Sequence, residues 1–377
     1  MSKRIYLVAG EASGDTHGAA LMSALRDAQP ALEFLGRGGP RMRTLAGRTF
    51  TDWSESSSVL GLWEVLKHYN YFRGELRATI AQVTAEAPDA VILIDYPGFN
   101  LRLARALKAA LPELKIIYYI SPQVWAWNRR RIPQMARYLD LMLCIFPFEA
   151  ELYNTSGLRT VFVGHPMLET LAQRRTLEAR NSNLVGLFPG SRSREITKIL
   201  PIMFAAAREL LARRPATRFE IAAASPALSQ EIRRLLETSE LREDVVRVST
   251  GEASAAMQRA QVGIVASGTA TLEAAYFRLP FVLVYRVAWV TYFVARLVVK
   301  VKHLGMPNVL AGHEIVPEFI QHQAEPQKIA DAVVRLMNDA EARSLMVAEF
   351  DRVVSALGES GASQSAAAAV LQEIESN

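Results

Sequence analysis

The stretch IYLVAGEASGD, residues 5–15, shows the pattern that decides the fold: an apolar run, a turn of small residues, and the start of a helix-like segment. The run does not alternate with polar residues, which is typical of a parallel strand buried on both faces. AVILID at 90–95 and LVGLF at 184–188 repeat it. Strands that alternate with helical segments predict βαβ units and parallel sheets. The other apolar runs are KIIYYI (115–120), LMLCIF (141–146), TVFVG (160–164), RFEIAAA (218–224), VVRVS (245–249), VGIVA (262–266) and FVLVY (281–285).

A polar, charged stretch at residues 168–183 has no strand pattern and separates these runs into two series. The 377 residues fit two to three domains, given ~150 residues for a typical domain. We predict an α/β protein of two Rossmann-like parallel-sheet domains facing each other across a ligand cleft. The N-terminal domain is predicted at residues 1–170 and the C-terminal domain at 180–350.

The chain carries a net charge of +5 and has a pI near 9.3. This excess suits anionic small molecules or an anionic membrane surface better than a nucleic acid, and the basic run at 129–131 is interpreted as a solvated helix face. Cys144 is the only cysteine and the six histidines lack metal-ligand spacing, so we predict no disulfide and no metal. Every stretch free of charged side chains is shorter than the ~20 residues of a spanning helix, and Glu11 and Asp15 interrupt a signal peptide. A cytoplasmic location is expected.

The turn after the first run leaves backbone N–H groups at a predicted helix start, where an anion is favoured. Carboxylates in this turn repel phosphate and suit sugar hydroxyls instead. The alternative is a tight strand-to-helix turn in which Ser13 or Asp15 caps the helix. The substrate-binding residues predicted here are Glu11, Ser13, Gly14 and Asp15.

Two turns in the second series predict a nucleotide site. The turn in VASGTATLE, residues 265–273, offers hydroxyl and N–H groups to a diphosphate, and Glu273 follows one turn later, where its carboxylate can accept from ribose hydroxyls. In FPGSR, residues 188–192, Arg192 can fork onto phosphate oxygens. The substrate-binding residues predicted from these turns are Gly190, Ser191, Arg192, Ser267, Gly268, Thr269 and Glu273.

Other nucleotide and hydrolase motifs are incomplete. GRGGPR at residues 36–41 has Arg41 where GxGxxG requires its third glycine, and neither GxxxxGK nor GxSxG occurs in the sequence. These observations disfavour a nicotinamide dehydrogenase, a P-loop NTPase and a hydrolase with a nucleophile elbow.

The candidate general base is Asp95 in IDYPGFN, residues 94–100. It ends a predicted buried strand, where ligands of open α/β sheets bind, and a carboxylate there can take a proton from a sugar hydroxyl. In the alternative, Asp95 caps the following helix. His17 and His165 are further candidate bases.

Eight motifs in order, from residue 9 to residue 312, resemble those of the lipid-A-disaccharide synthase family, inverting glycosyltransferases with a GT-B fold. Arg37 and Phe188 depart from the usual family residues, at positions without an assigned role. The motifs are AGEASGD (9–15), GGPRM (38–42), SPQVWAW (121–127), LCIFPFE (143–149), VGHP (163–166), FPGSR (188–192), ASGTATLE (266–273) and PNVLAG (307–312).

The resemblance implies transfer of 2,3-diacylglucosamine from its UDP derivative to the 6-hydroxyl of 2,3-diacylglucosamine 1-phosphate, giving a β-1,6-linked disaccharide 1-phosphate and UDP. It implies Asp95 as the base, Arg192 as a diphosphate contact, the 267–273 turn as the UDP site, and Asn308 as a further polar substrate-binding residue. The 11–15 loop would face the cleft from the acceptor domain, and no metal or cofactor is implied. A C-terminal helix, at about 352–377, is expected to pack back on the first domain.

Acylated substrates imply contact with a bilayer. Residues 57–73 combine an apolar, aromatic stripe with Lys67, His68 and Arg73, a pattern that predicts an interfacial helix; an ordinary core helix is the alternative. Residues 285–302 are a second candidate. We expect peripheral binding to anionic lipid on the cytoplasmic face of the inner membrane. The membrane-contact residues predicted here are Val59, Leu62, Trp63 and Leu66.

Two other functions stay open at this point: another UDP-sugar enzyme of the same fold, such as a peptidoglycan glycosyltransferase or a UDP-N-acetylglucosamine epimerase, and a non-catalytic nucleotide or lipid carrier. A carrier would not need Asp95. The oligomeric state is left open.

Overall fold

Two parallel sheets, one in each of two units, organise the chain. The computed structural model describes residues 3–46, 50–53, 69–176, 178–287 and 302–376. Unit 1 comprises Met1–Pro166 together with Leu357–Asn377, and unit 2 comprises Met167–Ala356. Unit 2 is therefore inserted in the chain between the two parts of unit 1.

Unit 1 holds a seven-stranded sheet in the order β3-β2-β1-β4-β5-β6-β7, with every pairing parallel. Its central strands are buried on both faces, which explains why their sequences are continuously apolar. The strands are β1 (Arg4–Ala9), β2 (Glu33–Gly38), β3 (Phe50–Asp52), β4 (Ala90–Ile94), β5 (Lys115–Tyr119), β6 (Leu141–Cys144) and β7 (Thr160–Phe162).

Helices follow most strands of this unit, as a doubly wound sheet requires. The described helices of unit 1 are α1 (Ala12–Ala28), α2 (Pro40–Ala46), α3 (Tyr69–Glu86), α4 (Pro97–Ala110), α5 (Val124–Trp127), α6 (Ile132–Met135), α7 (Pro147–Thr155) and, at the end of the chain, α16 (Ala362–Glu375). A 3₁₀ turn, Arg129–Arg131, lies between α5 and α6.

The last helix, α16, packs against α1 and completes the core of unit 1 with Ala366, Val370 and Ile374. Its Glu373 is 2% exposed and accepts from Lys115 Nζ at 3.1 Å and from Arg159. A buried carboxylate with two cationic partners ties the helix to the sheet.

Unit 2 holds a six-stranded parallel sheet in the order β10-β9-β8-β11-β12-β13. Its strands are β8 (Asn181–Phe188), β9 (Arg218–Ala223), β10 (Val246–Thr250), β11 (Ala260–Ala266), β12 (Phe281–Tyr285) and β13 (Glu318–Ile320). Its described helices are α8 (Met167–Ala172), α9 (Ser193–Arg213), α10 (Pro226–Glu237), α11 (Ala253–Arg259), α12 (Ala270–Tyr276), α13 (Met306–Ala311), α14 (Pro326–Asn338) and α15 (Ala340–Ala356).

Each sheet has one point where the strand order reverses. In unit 1 the chain runs from β1 outward to β3 and then returns to β4 on the other side of β1; in unit 2 the reversal lies between β8 and β11. The carboxyl ends of the two flanking strands are level, since Ala9 pairs with Ile94 and Phe188 with Val265. Ligands of open α/β sheets bind at such switch points.

The two parallel-sheet α/β units predicted from the apolar runs are confirmed. The sequence did not predict β2, β3 or β13, and β8 begins at Asn181, inside the stretch interpreted as having no strand. Helix α8 also lies in that stretch. The polar start of β8 still pairs with β11: Asn181 lies opposite Ala260, before a shift in register between Ala260 and Val262.

A buried carboxyl group joins two loops of unit 1. Glu149 is 0% exposed; its Oε2 accepts from Ser121 Oγ at 2.6 Å and from the Phe146 N–H at 3.3 Å, and its Oε1 accepts from Trp125 Nε1 at 2.8 Å. Burial raises the pKa of Glu149 to about 7, against the opposing effect of these hydrogen bonds. The contacts explain why SPQVWAW and LCIFPFE occur together: the first supplies the two side-chain donors, Ser121 and Trp125, and the second supplies the acceptor, Glu149.

Because the folded pKa of Glu149 lies near 7 and its ordinary value is 4.5, the folded state keeps a proton that the unfolded chain has already released between these pH values. This contribution to stability is present below pH 4.5 and is lost as the pH rises toward 7. We expect Glu149→Gln to flatten the fall in unfolding free energy across this window by a few kcal/mol, measured by urea unfolding. The exposed Glu151→Gln in the same helix should keep the wild-type slope, and an unchanged slope in Glu149→Gln would contradict the assignment.

Candidate functional site

Asp95 and Tyr96 form a strained turn at the switch point of unit 1. Both have left-handed backbone conformations, with φ of 47° and 50°, which non-glycine residues rarely adopt. The Asp95 carbonyl oxygen accepts from Tyr118 Oη at 2.6 Å and from Asn100 Nδ2 at 2.8 Å, and the Asp95 N–H donates to the Tyr119 carbonyl at 2.9 Å. The backbone at Asp95 is thus held by three hydrogen bonds, none of which uses its carboxyl oxygens.

The Asp95 carboxyl group is half-buried. Burial raises its pKa, the Tyr96 N–H opposes this rise, and the negative charge of Glu11 adds to it. A carboxylate whose proton affinity is increased by burial and a neighbouring like charge is suited to accept a proton from a hydroxyl group.

The loop between β1 and α1 lies beside this turn. Gly10 carries the Tyr96 ring directly above it: a Cβ there would lie 2.3 Å from a ring carbon. Glu11 is half-buried at the N-cap of α1, Ser13 is exposed and Gly14 is buried. Of the predicted loop residues, Glu11 and Ser13 therefore have side chains that a ligand can reach, whereas Gly14 is packed closely against Ala9.

The Asp15 carboxylate accepts hydrogen bonds from the backbone at the start of α2. It is 4% exposed; its Oδ1 accepts from the backbone N–H of Gly39 and of Met42, both at 3.0 Å, and its Oδ2 from that of Arg41 at 3.1 Å. These donors lie at the start of α2. Asp15 therefore caps α2 and joins AGEASGD to GGPRM, and its contact with a substrate stays a prediction.

At the switch point of unit 2, the loop after β8 is built around a carboxylate that the sequence analysis did not single out. Glu195 Oε2 accepts from the Ser191 N–H at 3.2 Å, and its Oε1 lies 3.5 Å from Arg192 Nη1. Gly190 has a φ of 114°, and a Cβ there would meet Glu195. The sequence could have indicated this role, because Glu195 is the third residue of α9 and a carboxylate at that position often accepts a hydrogen bond from the backbone before the helix.

The Arg192 side chain is 62% exposed, so its guanidinium can reach a ligand. Burial raises the pKa of Tyr285 at the end of β12, Glu195 adds to the rise and Arg192 opposes it. The ionisation of this phenol is thus coupled to both charged groups.

The second loop of this switch point follows β11. Ser267 is half-buried, whereas Gly268, with a φ of 149°, and Thr269 are exposed at the start of α12. One turn later, burial raises the pKa of Glu273, and the exposed Arg174 opposes this effect. The loop thus offers hydroxyl and N–H donors to an anion and a carboxylate to hydroxyl groups.

The two histidines considered as bases are neutral near pH 7. His165 is 8% exposed with its ring centroid 5.3 Å from that of Phe146, and burial, with the charge of His17, lowers its pKa to about 4. Burial also lowers the pKa of His17. Within the described ranges, no group of three His, Cys, Asp or Glu side chains could hold a metal ion.

The predicted membrane-contact residues, Val59, Leu62, Trp63 and Leu66, lie outside the described residues, as does most of the second candidate stretch. No helix in the part of the chain that the structure describes is long and apolar enough to cross a membrane.

Comparison with known proteins assigns the chain to a family. Residues 5–372 match the family model described as lipid-A-disaccharide synthetase. The chain belongs to the lipid-A-disaccharide synthase family. Curated lipid-A-disaccharide synthases from Trichlorobacter lovleyi and Pseudomonas aeruginosa are each 38% identical to it, and each alignment covers 99% of this chain and 98% of the relative. The chain is an enzyme of lipid A disaccharide synthesis, and neither the alternative UDP-sugar enzymes nor a carrier is favoured.

Solved structures share the fold at much lower identity. The UDP-GlcNAc 2-epimerase from Neisseria meningitidis bound to UDP-GlcNAc superposes with a TM-score of 0.62 at 12% identity, covering 99% of this chain and 100% of its own. The calicheamicin glycosyltransferase CalG4 gives a TM-score of 0.59 at 14% identity, covering 100% of this chain and 99% of its own. The predicted GT-B class is confirmed.

The side-chain amide of Asn308, which was expected to bind substrate, forms hydrogen bonds with other residues of unit 2. It is 0% exposed; its Nδ2 donates to the Val316 carbonyl and to Glu318 Oε1, both at 2.8 Å, and its Oδ1 accepts from the backbone N–H of Ile315 at 2.8 Å and of Val316 at 2.9 Å. Glu318 also accepts from the Leu304 and Gly305 N–H groups before α13. Asn308 therefore holds the segment leading into β13, and its contact with a substrate stays a prediction.

Removing this amide leaves buried N–H groups without partners, at about 1–3 kcal/mol each. We expect Asn308→Ala to lower the unfolding free energy of unit 2 by roughly 3 kcal/mol, measured in urea, while UDP affinity below the transition changes less than about twofold. The exposed Asn338→Ala should shift stability by less than about 0.5 kcal/mol. Wild-type stability with lost UDP affinity would instead make Asn308 a ligand-binding residue.

Proposed function

We propose that this enzyme transfers 2,3-diacylglucosamine from UDP-2,3-diacylglucosamine to the 6-hydroxyl of 2,3-diacylglucosamine 1-phosphate, with inversion at the transferred carbon. The products are the β-1,6-linked disaccharide 1-phosphate and UDP. Family membership supports the reaction class. The observation that carries the mechanism is the Asp95 carboxyl group at the switch point of unit 1, half-buried and with a raised pKa.

In the acceptor half of the reaction, Asp95 takes the proton of the 6-hydroxyl as that oxygen attacks the anomeric carbon of the donor. The bond between that carbon and the diphosphate oxygen breaks, and its electron pair leaves with UDP. The strained, three-point backbone anchor of Asp95 supports this role, because a general base must be held in one orientation. Glu11 and Ser13 lie on the neighbouring loop and are assigned to acceptor hydroxyls, whereas Asp15 keeps that loop in place.

In the donor half, the loops after β8 and β11 bind UDP. Arg192 and the N–H groups at residues 267–269 stabilise the negative charge that develops on the leaving diphosphate. Glu273 accepts hydrogen bonds from the ribose hydroxyls, and Gly190 and Ser191 shape the loop that carries Arg192. The exposure of Arg192 and the half-buried position of Glu273 support this assignment.

We further propose that the enzyme binds peripherally to anionic lipid on the cytoplasmic face of the inner membrane, through Val59, Leu62, Trp63 and Leu66. The acyl chains of both substrates and the basic, aromatic sequence of residues 57–73 support this contact.

Two matched carboxylate-to-amide substitutions test the roles of Asp95 in proton transfer and of Glu273 in UDP binding separately. Asp95→Asn should lower disaccharide formation by ~10²–10⁴-fold, the usual contribution of general acid–base catalysis, with UDP affinity within about twofold of wild type. Glu273→Gln should weaken UDP binding ~10-fold or more, because it replaces a charged hydrogen-bond acceptor. Product is measured by mass spectrometry and UDP binding by calorimetry.

Each variant serves as the control for the other, and Glu237→Gln at the exposed end of α10 is the neutral reference. The mechanism fails if Asp95→Asn keeps wild-type turnover, or if it loses UDP affinity to the same degree as turnover. A wild-type protein that forms no disaccharide from these substrates would overturn the proposed function itself.

For the membrane contact, the triple change of Leu62, Trp63 and Leu66 to Ser should release the protein from phosphatidylglycerol-containing vesicles, and added salt should weaken wild-type binding. Co-sedimentation measures binding, and circular dichroism reports folding. The control is Leu345→Ser, which removes an apolar side chain 64% exposed in unit 2 and should not alter sedimentation. An unfolded triple variant would place these residues in a core and contradict the proposal.

A further inference from the structure

Unit 1 contains a cavity of about 790 Å³, and the charged residues that line it have no role in the mechanism proposed above. It lies between α4 and the segment from Arg131 to Tyr138, and its charged lining is cationic: Arg102, Arg105, Lys108, Arg131 and Arg137. Its lining, as far as the described residues define it, contains no Asp or Glu side chain. A concave surface with charge of one sign attracts a ligand of the opposite sign.

The helix geometry brings these cations together from two parts of the chain. Arg102 and Arg105 are three residues apart on α4 and so share one face of it. Arg131 and Arg137 arrive from the 3₁₀ turn and the residues after α6. Arg105, Arg131 and Tyr138 all line the same cavity. Burial raises the pKa of Tyr138, and the charges of Arg131 and Arg105 oppose that rise.

Most of this charge is not neutralised inside the protein. Lys108 pairs with Asp140, with Nζ 2.9 Å and 3.0 Å from the two carboxylate oxygens. Arg102, Arg105 and Arg137 are exposed, and none forms an ion pair with another residue that the structure describes. The guanidinium carbon of Arg131 lies 5.1 Å from the centroid of the Trp127 ring, and Arg131 forms no ion pair with a residue that the structure describes.

The cavity begins at the residues that follow the proposed base along the chain. Its lining includes Pro97 and Gly98, the first residues of α4, which follow the Asp95–Tyr96 turn directly. At 1.5 Å per helical residue, Arg102 lies about 8 Å along α4 from Pro97 and Arg105 about 12 Å. These distances are comparable to the span of a sugar ring with its substituents, so a ligand could reach from the base to the arginines.

We propose that this cavity binds a phosphate monoester, the 1-phosphate of the acceptor sugar, and thereby directs the hydroxyl on the opposite side of the ring toward Asp95. The inference rests on the proposed transfer reaction and adds a binding site to it. A monoester carries a charge of about −1.5 to −2 near pH 7 and presents three oxygens, which suits several forked guanidinium donors better than the single charge of a lipid phosphodiester. Arg105 and Arg137 are assigned as acceptor-specificity residues.

The test compares soluble short-chain acceptors with and without the 1-phosphate. We expect wild type to prefer the phosphorylated acceptor, and the double variant Arg105→Gln/Arg137→Gln to raise KM for it by ~10-fold or more, as for loss of charge-assisted contacts. The preference for the phosphorylated acceptor should fall by a similar factor, and KM for the UDP donor should stay within about twofold. Arg105→Lys/Arg137→Lys should restore part of the preference, because charge is kept and the fork is lost.

The matched control is Arg234→Gln, an exposed arginine of α10 in unit 2, which should leave every parameter unchanged. Arg102→Gln provides a second variant if the double variant does not fold. Calorimetric titration with glucosamine 1-phosphate, without donor, measures the same site independently of turnover.

An unchanged preference for the phosphorylated acceptor in these variants would overturn the proposal. So would weaker binding to phosphatidylglycerol vesicles with wild-type acceptor preference, since that result assigns the cavity to lipid headgroups. Failure of wild type to make any disaccharide would instead refute the proposed function, so the two failures are distinguishable.

Discussion

The carbonyl oxygen of Asp95 accepts hydrogen bonds from Tyr118 and Asn100, and these contacts keep two consecutive residues in a left-handed conformation. Such a conformation costs energy and persists only where the surroundings hold it in place. Here the donors come from the next strand and from the helix that follows the turn. The direction of the Asp95 carboxyl group, the packing of Tyr96 on Gly10 and the start of α4 all depend on this one anchored peptide.

Two groups of carboxylates in this protein differ in what they bind. Asp15, Glu149, Glu195 and Glu318 each accept backbone N–H groups of loops that carry family motifs, and so position those loops. Asp95, Glu11 and Glu273 are half-buried beside strand ends, where the side chain can meet a ligand. The two groups cannot be distinguished by residue type or spacing alone, because the difference lies in which donors the folded chain brings to each oxygen.

The sequence predicted the features that depend on local pattern and not those that depend on long-range partners. Apolar runs predicted ten of the strands, most of which are buried on both faces, whereas the edge strands β7 and β10 are partly exposed. They did not predict β2, whose Gly36 allows the backbone of β1 to approach and whose Arg37 is buried against Glu75. Asp15 and Asn308 lie in recognisable motifs, yet their hydrogen-bond partners are 24 and 8 residues away. Likewise, the basic run at 129–131 indicated only a solvated helix face. Its shared cavity with Arg105 could not be predicted, because the two segments come together only in the folded chain.

The insertion of unit 2 between two parts of unit 1 has a consequence for biosynthesis. The ribosome adds ~5–20 residues per second, so the segment Met167–Ala356 takes on the order of ten to forty seconds to emerge before α16 can follow. During that interval the apolar face of α1 lacks the packing of α16 residues such as Val370, and Lys115 and Arg159 lack their shared partner Glu373. Unit 2 can close its own core first, whereas nascent unit 1 is the part expected to recruit chaperones. A chain truncated just before the final helix would therefore have an intact unit 2 and an unfinished unit 1.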